Sequence, residues 1–214
     1  MSNKTLVFIV IIVLILQSSW VAYSLSNISK VEMVQKETTV ILTKEDFIQE
    51  YLQKIQKSVL YVEDLDSKKE SSGIILTSDG LILTLNDNIV RGNDFDFRFL
   101  GESKVYEIRK RDAENNLALV QVGEINLTPC PLSDEVNVIL GENVYIVGTD
   151  KEGNYVFGEG IIKTVSGKTD ILGDSSFNGA PVFNKKGEIL GIGQLNNGLM
   201  EIILINNIKD FTNL

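Results

Sequence analysis

The chain has 214 residues, a net charge of -9 and 43% hydrophobic residues, which suits one well-buried domain and excludes a long multidomain enzyme. It contains no histidine, which excludes every mechanism that needs an imidazole base, acid or metal ligand. Its single cysteine, Cys130, permits neither an internal disulfide nor a cysteine-rich zinc site, and the acidic charge disfavours nucleic acid as a partner.

The N-terminal segment predicts export. No charged residue occurs from Thr5 through Ser29, and residues 5–25 supply the roughly 20 mainly apolar residues that a transmembrane helix needs. We therefore expect residues 1–25 to be a single-pass signal anchor in the cell membrane, with the remaining chain on the extracytoplasmic side. The alternative is a protein secreted after signal cleavage, because Ala22-Tyr23-Ser24 is a usable small-x-small cleavage site.

Residues 26–42 are polar and mixed, and we interpret them as a tether. Thr43 begins a capping-box pattern, which predicts that a short amphipathic helix follows over 43–58. The apolar residues of its broad face recur at three- and four-residue spacing and include Phe47, Tyr51 and Ile55. We expect this face to pack on the domain that follows.

From Val59 to Leu214 the chain consists of short apolar runs broken by Gly, Asn and Asp, which is typical of an all-β sandwich or barrel. Asp79-Gly80 predicts a hairpin turn, with positive φ at both positions, and Lys185-Lys-Gly187 predicts another. Further strands are expected within Asp94–Phe99, Leu117–Val122, Asn143–Val147, Gly160–Val165, Pro181–Asn184, Glu188–Ile192 and Glu201–Ile205.

Three separated segments resemble trypsin-like serine proteases of the HtrA (Deg) type. They are Ser72–Thr84, which resembles the hairpin before the catalytic histidine, Arg111–Val122, which resembles the strand that carries the orienting aspartate, and Ser176–Ile192, which resembles the segment around the nucleophile. The resemblance covers residues 59–214. It implies a double β-barrel of two six-stranded barrels with the active site between them.

The resemblance places an asparagine at each catalytic position. Asn88 takes the place of the histidine, or Asp87 does if the gap falls one residue away; Asn116 takes the place of the aspartate, and Asn178 that of the serine. The oxyanion-hole positions are Ser176 and Asn178, and a serine resists the positive φ that the family's glycine allows. A carboxamide is neither a general base nor a nucleophile, so no intact catalytic residue is expected.

We therefore expect a pseudoprotease that binds a peptide or an unfolded protein segment, with no cofactor and no metal. The alternative is a serine-type endopeptidase of extracytoplasmic protein quality control that uses a non-standard catalytic set. Four residues are close enough in sequence to form a serine–lysine dyad: Ser175, Ser176, Lys163 and Lys168. Asp94 and Asp96 alternate with phenylalanines, which indicates that they lie on the solvent-exposed face of a strand and are not metal ligands.

Overall fold

The computed structural model describes residues 17–19, 23, 44–133 and 137–213, and within 44–48 it describes the backbone alone. The chain divides into two compact units, 1–42 and 43–214, and the elements named below belong to the second. The tether, the capping residue Thr43, the side chain of Phe47 and most of the predicted anchor lie outside the described part. No helix of the described residues is long and apolar enough to cross a membrane.

Helix α1 spans Lys44–Ile55 and continues as a 3-10 turn over Gln56–Ser58. Its apolar face packs on the main hydrophobic cluster through Tyr51, Leu52 and Ile55, and Ile55 is only 1% exposed. The Tyr51 ring lies against Gly187, where an added Cβ would approach Tyr51 Cδ1 to 2.1 Å. The packing of the helix therefore requires a glycine at this turn, which joins the strands Pro181–Asn184 and Ile189–Asn196.

All the strands are antiparallel partners in two sheets. The first sheet consists of β1 Val59–Asp64, β2 Lys69–Ile75, β3 Leu81–Leu85, β4 Phe95–Phe99, β5 Glu102–Lys104, β6 Tyr106–Asp112 and β7 Leu117–Val122. The second consists of β8 Asn143–Thr149, β9 Tyr155–Ile161, β10 Lys168–Leu172, β11 Pro181–Asn184, β12 Ile189–Asn196 and β13 Leu199–Leu204. Helix α2, Ile205–Thr212, closes the described chain.

The first sheet has the strand order β5-β4-β1-β2-β3-β7-β6 and curls so that its two ends meet. The ring of Tyr106 on β6 lies 5.0 Å from that of Phe97 and 6.1 Å from that of Phe95, both on β4. Alternation along β4 buries these phenylalanines, whereas Asp96 is partly exposed and accepts a hydrogen bond from Arg98 at 2.5 Å. This confirms the strand's predicted two-faced character.

The second sheet has the order β10-β13-β12-β11-β8-β9 and also curls. Its end strands meet at a single bridge between Ile162 and Thr169. A shared apolar cluster joins the sheets, with Leu83 and Leu117 from the first packed near Tyr145 and Phe183 from the second. The all-β, double-barrel character implied by the family resemblance is thereby confirmed at the level of two curled sheets.

Three details differ from expectation. The first sheet has seven strands rather than six, because a tight turn at Leu100-Gly101, with φ of 51° and 80°, folds the short β5 back onto β4. The strand expected over Gly160–Val165 is displaced: β9 ends at Ile161, and a turn at Gly167, with φ of 95°, follows. The predicted hairpin at Asp79-Gly80 forms, but of the two residues only Gly80 has a positive φ.

The turn after β1 is organised by the buried carboxylate of Asp64, which is 1% exposed. It accepts hydrogen bonds from the N–H groups of Asp66 and Ser67, at 3.0 and 3.1 Å, and from the amide of Asn93. Burial alone would raise the pKa of Asp64, but these hydrogen bonds outweigh burial and hold the pKa below its ordinary value.

Candidate functional site

Two buried asparagines meet where the two sheets come together. Asn88 ends a 3-10 turn that follows β3 directly, and Asn178 lies between the 3-10 turn Ser175–Phe177 and β11. The side-chain amide of Asn88 donates to the backbone carbonyl of Asn178 at 3.2 Å, and the two residues are 1% and 5% exposed. The structure thus brings together two of the three positions that the family resemblance singles out.

A chain of hydrogen bonds fixes this contact. The carbonyl of Asn178 also accepts from the N–H of Ser72 at 2.8 Å, and the carbonyl of Ser72 accepts from the hydroxyl of Thr84 at 2.8 Å. Thr84 in turn accepts from the Asn88 amide at 3.0 Å. Gly179 allows this approach, because its φ is +81° and an added Cβ would lie 2.2 Å from the Ser72 carbonyl.

Asn116, directly before β7, contacts the backbone of the same turn. It has a φ of 54°, and its side-chain oxygen accepts from the N–H of Asp87 at 2.9 Å while its carbonyl accepts from the N–H of Asn86. The structure therefore places Asn116 beside the turn that carries Asn88, and its carboxamide orders that turn. Asp87, the alternative base position, is exposed.

Arg111 also donates hydrogen bonds to this turn and to the residue that follows it. Its guanidinium donates to the Asn86 side chain at 3.2 Å and to the carbonyl of Ile89. Burial, with a smaller contribution from the charge of Arg91, lowers the pKa of Arg111, although an arginine stays protonated at neutral pH. Arg111 is thus a positively charged donor at this turn, and it cannot act as a base.

Both backbone amides at the oxyanion-hole positions are already occupied. The N–H of Ser176 donates to the carboxylate of Asp174 at 2.9 Å, and the N–H of Asn178 donates to the carbonyl of Ser175 at 3.0 Å. These bonds belong to the 3-10 turn, which Asp174 caps, and Ser176 lacks the positive φ of a glycine. A negative oxygen entering here would meet two engaged donors and a carboxylate.

The side chain of Asn178 is directed towards β12. Its oxygen accepts from the backbone N–H of Leu195 at 2.8 Å. The Leu195 side chain packs closely on Gly173, where an added Cβ would come within 2.1 Å of it. The Asn178 side chain thus occupies the backbone N–H of Leu195 on β12, and the Leu195 side chain covers Gly173.

The serine–lysine alternatives do not come together as a dyad. Lys163 pairs with Asp170 at 3.2 Å and Lys168 with Glu201 at 3.7 Å, and each lysine side chain is at least half exposed. Ser176 is buried, and its hydroxyl donates to Asp174 at 2.7 Å. Both lysines are thus engaged by carboxylates and the Ser176 hydroxyl by Asp174, so no serine–lysine hydrogen bond is formed among these described residues.

Sequence reasoning did not assign roles to the residues that hold the site together. Ser72 and Thr84 lie at the ends of the segment Ser72–Thr84 that resembles the family, yet Ser72 bonds to Asn178, which is distant in sequence. Asp174 could have been found, since an aspartate directly before Ser175-Ser176 is a typical capping pattern. Among the residues that the structure describes, no group of three or more acidic or cysteine side chains could hold a metal ion.

The sequence was compared with protein-family models and with known proteins. The family model of the trypsin-like peptidase domain matches residues 71–192, more than half of the chain. Similar curated proteins include a probable periplasmic serine endoprotease, DegP-like, of Pseudomonas putida, 27% identical over 139 residues, and its counterpart in Halomonas elongata, 27% identical over 134 residues. These matches cover 59% and 56% of this chain but only 29% and 28% of those proteins.

Solved structures resemble the fold. The crystal structure of Deg5 superimposes with a TM-score of 0.70 at 19% identity, covering 78% of this chain and 92% of that one. The serine endoprotease from Yersinia pestis gives a TM-score of 0.69 at 20% identity, covering 77% and 65%. The two curled sheets, the matched segment and these relatives agree, and the chain belongs to the trypsin-like peptidase domain family, in its HtrA type.

Proposed function

We propose that this chain is a non-catalytic HtrA-type domain that binds peptide or unfolded protein segments. One observation carries the proposal: the backbone amides of Ser176 and Asn178 donate within their own turn, beside a carboxamide where the family resemblance expects a nucleophile. Acyl transfer needs a nucleophile, a base and donors for the developing oxyanion. This site offers none of the three in usable form.

The chemistry of the asparagines supports the same proposal. A carboxamide has no proton-transfer pKa near neutrality, and loss of a triad as a unit lowers turnover by roughly a millionfold in proteases studied that way. The endopeptidase alternative would have to use either the hydroxyl–carboxylate pair of Ser176 with Asp174 or the exposed Ser175 beside it. Ser176 is only 3% exposed, which separates its oxygen from any polypeptide outside.

A binding function is supported by the fold and by the relatives. The curated relatives are described as periplasmic serine endoproteases, proteins that act on polypeptide. Pairing of an extended peptide with the edge of a sheet depends on backbone groups and not on a triad, so it can outlast catalysis. We further propose that residues 5–25 anchor the chain in the cell membrane with the domain outside the cytoplasm, in keeping with the periplasmic relatives.

Labelling and cleavage assays test the loss of catalysis. We expect the full chain neither to react with a serine-directed fluorophosphonate nor to cleave unfolded casein, while retaining the casein on a pull-down. Ser175→Ala and Ser176→Ala are the matched variants. Labelling of the parent chain that disappears in either variant would establish the endopeptidase instead, and casein that is neither cleaved nor retained would contradict the binding function.

Fractionation tests the anchor. We expect the full-length chain in the membrane pellet after carbonate washing. A mature N-terminus at Leu25, determined by terminal sequencing, would show instead that the segment is a cleaved signal.

A further inference from the structure

The second sheet does not close completely. Beyond the bridge at Ile162 and Thr169, strands β9 and β10 separate and leave a groove of about 720 Å³. The side chain of Asp170 stands at the point of separation, where it accepts from the N–H of Ile161 at 2.7 Å. A carboxylate thus takes the place of the next strand-to-strand hydrogen bond, and the groove begins there.

The backbone of β9 presents unused groups to this groove. The backbone N–H and carbonyl groups of its even-numbered residues point towards β8. The N–H of Ile162, which donates to the carbonyl of Glu142 at 2.9 Å, shows this direction. The backbone N–H of Ile161 points the other way, towards Asp170. Because these groups alternate along an antiparallel strand, the backbone groups of Phe157 and Glu159 also point away from β8. Within the described part of the chain, neither of these two residues forms a hydrogen bond across the groove. Each therefore offers one N–H donor and one carbonyl acceptor.

The groove is acidic and partly apolar. The charged residues that line it are all carboxylates, Glu159, Asp170 and Asp174, of which Asp170 is paired with Lys163 at 3.2 Å. Apolar surface is exposed beside them, since Phe157 is 43% and Leu172 is 78% exposed. Glu159 forms no ion pair with any residue that the structure describes, so its charge is available to a partner.

We propose that the β9 edge binds an extended, basic polypeptide segment of a partner protein as an added strand. The segment would pair with the backbone of Phe157 and Glu159, place basic side chains near the carboxylates, and cover Phe157 and Leu172 with apolar ones. A second copy of this acidic chain would be repelled by the negative charge of this edge. Nucleic acid would be repelled for the same reason, because its phosphates would lie against the carboxylates. The inference rests on the proposed binding function, but it locates the binding outside the asparagine pair.

Three variants of the full chain separate backbone pairing from charge. Glu159→Pro removes the outward N–H, a change that an edge strand tolerates when that N–H faces solvent. Glu159→Gln removes the charge alone. Glu114→Gln removes an equal charge from an exposed turn outside the groove.

The probe is a fluorescein-labelled seven-residue peptide of alternating lysine and valine, followed by fluorescence polarisation. We expect Glu159→Pro to weaken its binding about tenfold, since the variant loses one hydrogen bond together with the carboxylate. Glu159→Gln should weaken it about threefold, as expected for an exposed ion pair, and Glu114→Gln should have no effect. Circular dichroism and the thermal midpoint report whether Glu159→Pro folds.

A matched peptide, N-methylated at every second residue, keeps the test independent of that variant. It carries the same charge but lacks the donors for one edge, so the parent chain should bind it about tenfold more weakly. Equal binding of both peptides, or binding by folded Glu159→Pro as tight as that by Glu159→Gln, would overturn the inference while leaving the proposed function intact. Cleavage of the probe would overturn the proposed function.

Discussion

Restoring the triad side chains should not restore catalysis. The variant Asn88→His, Asn116→Asp, Asn178→Ser supplies a base, its orienting carboxylate and a nucleophile at the positions that the family resemblance assigns. It leaves the amide of Ser176 bonded to Asp174 at 2.9 Å. We therefore expect the triple variant to lack protease activity, because the oxyanion would have no free donor.

The magnitude follows from the two occupied amides. Loss of one oxyanion donor costs about 10²–10³ in turnover, or ~2.7–4 kcal/mol of transition-state stabilisation. A charge-assisted bond such as that from Ser176 to Asp174 is worth about 1.5–3 kcal/mol, so the developing oxyanion would not displace it without loss. With the second amide held by Ser175, the triple variant should be slower than an ordinary protease by about 10⁴–10⁶.

The assay compares the triple variant with a form that also carries Asp174→Ala and Ser176→Gly. These changes remove the acceptor and allow positive φ, so we expect fluorophosphonate labelling to rise about 10²–10³-fold over the triple variant. A parallel series with Asp87→His tests the other placement of the base. The reasoning is refuted if the triple variant by itself labels and cleaves casein at the rate of an ordinary trypsin-like protease.

Three further predictions concern the domain as a whole. Gly187→Ala should lower the free energy of unfolding in urea by about 1–3 kcal/mol more than Gly198→Ala, because both have positive φ but only the first clashes, with Tyr51; equal losses would mean that the helix does not rest there. The pKa of Asp64 is lowered in the fold, so its contribution is present above about pH 4 and lost as the pH falls through the folded pKa; Asp64→Asn should be about 1–3 kcal/mol less stable at pH 7, and the difference should shrink in acid. Burial raises the pKa of Cys130 to about 12, so iodoacetamide at pH 8 should modify it only after denaturation; modification of the native chain would show that the thiol is reached without unfolding.

Features that depend on neighbours in sequence could be predicted. Helix α1, Lys44–Ile55, lies within the predicted 43–58, because three- and four-residue spacing places apolar side chains on one face of any helix. The alternation of phenylalanines in β4 and the turn at Gly187 are equally local. The order of the matched segments was enough to identify the fold type, since each segment forms one strand or turn of it.

Other features arise only when distant segments meet. The strand β9 carries two glycines and begins at Tyr155, earlier than its apolar run indicates, because pairing with β8 over seven residues outweighs a weak local propensity. The site's chemistry is likewise non-local: Asn178 caps Leu195, and Asn88 donates to the Asn178 carbonyl. The residue types at these positions followed from the sequence. Which donors they use, and which β9 groups remain open, was decided by the tertiary structure, because a hydrogen bond depends on the position of both partners and only one is local.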